Sequence, residues 1–61
     1  MKTSELIKIL KRNNCKLLSH GSSHDIWMSN ITGAKFSLPR HKSKEIPIGT
    51  AKSILKDAGI N

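Results

Sequence analysis

The sequence predicts an α+β fold: element order α-β-β-β-α, a three-stranded antiparallel sheet with two helices on one face. Apolar residues recur at helical spacing near both ends of the chain. The stretch between them breaks into short segments punctuated by Gly, Asn and Ser. A meander with both helices packed on one side is the economical way to bury those stripes.

Residues 3 to about 14 read as the first helix. Thr3 or Ser4 is placed to cap it, Glu5 suits the first turn, and Leu6, Ile7 and Leu10 form its apolar stripe. Asn13-Asn14 ends it, because Asn tolerates the left-handed conformation. Cys15 to Ser19 is a strand candidate without clean alternation, followed by a loop from His20 to Ser23 and a second strand over 24 to 29. Asn30-Ile31-Thr32-Gly33 is a turn with Gly33 supplying positive φ. In Ala34 to Leu38, Phe36 and Leu38 alternate with Lys35 and Ser37, giving one apolar and one polar face. Pro39 stops that strand. After a basic connection, the last helix starts near Pro47 and runs to about Ala58, with Ala51, Ile54, Leu55 and Ala58 on one stripe and Gly59 as its stop.

A chain of 61 residues is expected to form one domain with a marginal core. Cys15 is the only cysteine and reads as a small buried apolar residue, in keeping with a reducing cytoplasm. No apolar run is long enough for a signal peptide or a membrane span, so a soluble, cytoplasmic protein with no membrane partner is expected. Eleven Lys and Arg stand against four acids, a formal net charge of +7, which makes polyanions the default partners.

The basic residues cluster. Lys35, Arg40, His41, Lys42 and Lys44 precede the last helix, and Lys52 lies within it. Phosphates along a nucleic-acid backbone need positive groups at several points on one track, so these six residues are the candidate RNA contacts. Trp27 and Phe36 are the only aromatics, which argues for recognition by shape and backbone rather than by base stacking. No metal site is expected, because Cys15, His20, His24 and His41 lack the spacing of a zinc pattern. No other cofactor is implied.

His24 is the candidate catalytic residue. Gly21, Ser22 and Ser23 form a small-residue loop that lets a polymer approach closely and positions the histidine behind it. Metal-independent RNA cleavage needs a base for the ribose 2′-hydroxyl, an acid for the leaving 5′-oxygen and cations for the phosphorane, and these residue types supply them. The plainer reading is a polar strand-end histidine beside an ordinary loop. Alternation places His24 with Ile26 and Met28 on the side expected to face the core, emerging at the sheet end. It places Trp27 on the open face, as a candidate partner contact or packed against basic stems. Asp25 is expected to be a solvent-facing carboxylate.

Gly21-Ser22-Ser23-His24-Asp25-Ile26-Trp27 resembles the glycine–small–histidine–x–x–aromatic signature of HicA toxins. Pro39-Arg40-His41, Glu45-Ile46, Gly49-Thr50, Ile54-Leu55 and Ala58-Gly59-Ile60 resemble that family's second block, and Ser4-Glu5-Leu6-Ile7-Lys8 its opening. The resemblance implies a double-stranded-RNA-binding-like fold, mRNA cleavage, and the toxin half of a type II toxin–antitoxin pair with a HicB antitoxin as partner. It carries the catalytic histidine onto His24 and the second-block histidine onto His41. Ser22-Ser23 and the length of Lys42-Ser43-Lys44 depart from the usual pattern. The alternative function is a non-catalytic double-stranded-RNA-binding-like module.

Overall fold

The structure, a computed structural model, describes residues 1–60. The elements are α1 (Thr3–Arg12), β1 (Cys15–His20), β2 (His24–Ser29), β3 (Lys35–Pro39) and α2 (Ile48–Asp57), in the expected order. The strands form one antiparallel sheet in the order β1-β2-β3. Leu6 and Leu10 of α1, Ala51 and Ile54 of α2, Ala58 just after it, and Phe36 and Leu38 of β3 close the core from one side of the sheet.

The register decides which residues of β2 join that core. Trp27 stands opposite Phe36, and Asp25 opposite Leu38, so the odd-numbered residues of β2 share the buried face of β3. Residues across a ladder point the same way. Trp27 is accordingly only 4% exposed. Two expectations are thereby corrected. Trp27 belongs to the core, not to an open contact surface. His24, with half-buried Ile26 and Met28, belongs to the open face rather than the core side. The larger side chain took the enclosed face, since the indole has the most apolar area to remove from water.

Helix ends and turns follow the local chemistry. Asn13 Nδ2 donates to the Ile9 carbonyl at 2.8 Å, and Asn14 takes the left-handed conformation with φ 61°. Gly33 has φ 76°, as the turn after β2 requires. The expected Thr3 or Ser4 cap is absent. Lys2 is the N-cap residue, and Thr3 lies buried within the first turn. The Thr3 and Ser4 amides instead donate to the carbonyls of Lys44 and Lys42, at 2.9 and 3.0 Å. Thr3 Oγ1 also donates to Lys44 O at 2.8 Å. The basic connection therefore supplies the acceptors that a capping side chain would otherwise provide.

Two further ties close the structure. Glu45 accepts a hydrogen bond from the N-terminal ammonium, which holds its carboxyl below the usual range. The ammonium's charge and Lys2 add to that effect, and desolvation opposes it. Ser29, fully buried at the end of β2, donates through Oγ to Ala58 O at 2.7 Å and accepts from the amides of Ile31 and Thr32 at 3.1 and 3.3 Å. One hydroxyl thus joins strand, turn and the end of α2.

Removing that hydroxyl leaves one buried carbonyl and two partly buried amides short of a partner. Ser29→Ala is expected to destabilise the protein by about 1–3 kcal/mol in chemical denaturation. Ser37→Ala on the open face should change stability by no more than about 0.5 kcal/mol. The Glu45 contribution has the sign of a depressed carboxylate: present above the ordinary carboxylate pKa and lost as pH falls through the lowered folded value. The stability difference between wild type and Glu45→Gln should vanish across that acid window.

Candidate functional site

The β1–β2 hairpin is pinned at its tip by the Gly21 amide, which donates to the His24 carbonyl at 2.7 Å. A Cβ at residue 21 would collide with that same carbonyl oxygen, so the close approach requires glycine. This turn puts His24 at the first position of β2, exposed on the open face and opposite Pro39 of β3. Ser23 Oγ lies 3.0 Å from His24 Nδ1. A hydrogen bond at Nδ1 orients the ring and selects its tautomer, leaving Nε2 for other chemistry. If the hydroxyl donates, Nε2 of the neutral ring carries the proton. If Nδ1–H donates, Nε2 is a free base.

A second set of contacts stands behind the hairpin. Asp25 is next in sequence to His24 but lies on the other face, where its side chain is 17% exposed. It accepts a hydrogen bond from His20 Nδ1 at 2.9 Å and has Arg40 Nε at 3.7 Å. The expected solvent-facing carboxylate is thus a partly enclosed anchor for two cationic or ionisable groups. Arg40 reaches onward, donating from Nη1 to Gly21 O at 3.2 Å and from its own amide to Ser23 O at 3.3 Å. The hairpin tip is held from beneath by one arginine. Ser22, Ser23, Arg40 and His41 line a cleft of about 300 Å³ beside it.

The geometry can be compared with known families. A family model described as the HicA toxin of bacterial toxin–antitoxin systems matches residues 3–60. The chain belongs to the HicA toxin family. No curated protein and no solved structure matches it. Membership makes the chain the toxin of a toxin–antitoxin system, with an antitoxin as its partner.

In this HicA toxin the structure brings together only part of the predicted site. His24, the Gly21–Ser23 loop, Arg40 and His41 share one end of the sheet. Lys35 shares the open face with His24 but pairs with Met28 at the other end of β2, about 13 Å away at ordinary strand rise. Lys42 lies on the helix side, lining a groove with Arg40 and residues of α1 and β1. Lys44 is exposed, and its carbonyl serves α1. Lys52 is exposed on α2, and no hydrogen bond or ion pair found among the described residues joins it to the hairpin. No group of three or more His, Cys, Asp or Glu stands together among the described residues. No described helix is long and apolar enough to cross a membrane.

His20 and Asp25 are the site residues that sequence reasoning missed. They flank the Gly-Ser-Ser turn, and a tight hairpin makes its flanking residues cross-strand neighbours, which was the available signal.

Arg40→Ala removes the clamp on Gly21 O and the cation beside Asp25. Both Arg40 and the turn are exposed, so the loss of global stability should stay below about 1 kcal/mol. Local opening should increase instead: amide exchange of Gly21 is expected to accelerate more than that of Leu38 or Leu10. Equal acceleration at all three would show a merely global effect.

Proposed function

We propose that this HicA toxin is an endoribonuclease that cleaves mRNA in the cytoplasm by histidine acid–base catalysis without a metal ion, and that a HicB-type antitoxin neutralises it. The observation that carries the proposal is the placement of His24. Its ring is exposed on the open sheet face, is oriented through Nδ1 by Ser23, and sits beside a cleft flanked by Arg40 and His41.

The reaction needs no covalent enzyme intermediate. The ribose 2′-oxygen attacks phosphorus and gives up its proton. The P–O5′ bond breaks, and the leaving 5′-oxygen takes a proton. The products are a 2′,3′-cyclic phosphate and a 5′-hydroxyl. With Nδ1–H donating to Ser23, His24 Nε2 accepts the 2′-hydroxyl proton. Protonated at both ring nitrogens, His24 serves as the acid and gives up the Nε2 proton. His41 lines the cleft with Ser22 and Ser23 and supplies the opposite role or binds phosphate. Lys35, Lys42 and Lys44 add the positive field that draws the backbone to the sheet end. An antitoxin acts most simply by covering the His24 hairpin and the basic surface, which needs no conformational change.

The test is RNA integrity after incubation with purified wild type and with His24→Ala, both in excess chelator. Wild type should cleave. The variant should be slower by about 10²-fold or more. Its stability should stay within about 0.5 kcal/mol of wild type, since the residue is exposed. Intact RNA with wild-type protein that still binds it would instead assign a non-catalytic RNA-binding module.

A further inference from the structure

A groove of about 390 Å³ opens between α1 and the sheet, on the face opposite to His24. Its apolar lining comes from Ile7, Leu17 and Trp27. Lys11, Arg40 and Lys42 bring positive charge to it, and His20 joins them. The single acid in the lining, Asp25, is engaged by His20 and Arg40. Trp27 Nε1 is the one buried side-chain donor without a partner among the described residues. Nothing in the His24 chemistry uses this groove.

We propose that it is a nucleotide subsite for the RNA strand adjoining the scissile phosphate, a proposal that rests on the RNA-cleaving reading of the same molecule. Size fits one nucleotide, because the volume lies in the range of small-ligand sites. Charge favours an anion, because three cations outnumber one compensated acid. The apolar wall favours an anion that carries a flat ring. Continuity favours RNA over a free metabolite, because Arg40 lines both this groove and the cleft of Ser22, Ser23 and His41. A strand rounding the sheet end past Arg40 would place one phosphate at His24 and the neighbouring base against Ile7 and Leu17, over the buried Trp27. The groove then contributes substrate preference, while the hairpin contributes the chemistry.

The chain holds one tryptophan, so a single indole N–H signal reports on the groove. The probe is a 2′-O-methyl RNA trinucleotide, which lacks the attacking hydroxyl and stays intact. Titrated into wild type by amide-detected NMR, it should shift the Trp27 indole, Leu17 and His20 signals saturably. His24→Ala should show the same shifts. Lys11→Glu, at an exposed position outside the core, should weaken binding about tenfold. Inorganic phosphate at matched ionic strength should leave the indole signal in place. Shifts confined to Ser22, Ser23 and His41 would overturn the subsite. So would an indole response to phosphate alone, or one given by an acidic peptide and not by the trinucleotide. Indole shifts in a protein that fails to cleave RNA would leave the subsite standing and remove the nuclease reading. Cleavage without indole shifts would do the reverse.

Discussion

The functional geometry depends on the parity of one strand. In β2, Trp27 is buried against Phe36 and the helices, and a strand's side chains alternate faces with period two. With Trp27 inside, Asp25 must lie on the helix side and His24 on the open side. A one-residue slip would exchange them and bury the histidine. The largest apolar side chain of the chain therefore determines where its candidate catalytic group is presented. The Gly21 turn enforces the same register from the other end, through a backbone contact that no side chain at that position would permit.

That parity was not legible in residues 24 to 29. His-Asp-Ile-Trp-Met-Ser is apolar on both faces, with Ile26 and Met28 on one and Trp27 on the other. Counting apolar residues favours the wrong face; weighing their area favours the right one. The deciding information is long-range. It lies in the Asn30–Gly33 turn, whose length sets odd residues of β2 against Phe36 and Leu38. Where pattern and burial agree, the sequence sufficed. The alternation of β3, the stripe of α2 and the stops at Asn14 and Gly59 all appear as expected. Ser29 shows the opposite case, because its burial comes from the turn and helix end that converge on it.

The basic residues divide by role once the fold is present. Cluster in sequence suggested one phosphate track. The structure distributes it: Arg40 is a clamp under the hairpin, Lys42 faces the α1 groove, and the Lys42 and Lys44 carbonyls cap α1. Charge alone cannot separate these roles, since each depends on which backbone group or carboxylate lies within reach. Arg40 is the joint between them. It supports the His24 loop through Gly21 and Ser23 and borders both the cleft and the groove. Its planar, multi-donor head suits that bridging use better than a lysine would.

The central claim is that His24 drives attack by the ribose 2′-hydroxyl. The most direct measurement is the chemistry of the RNA ends left by purified wild-type protein in excess chelator. Upstream fragments ending in a 2′,3′-cyclic phosphate, with 5′-hydroxyl downstream fragments and both formed far more slowly by His24→Ala, are the expected result. Fragments with 3′-hydroxyl and 5′-phosphate ends would contradict it, since they require water rather than the 2′-oxygen as the nucleophile.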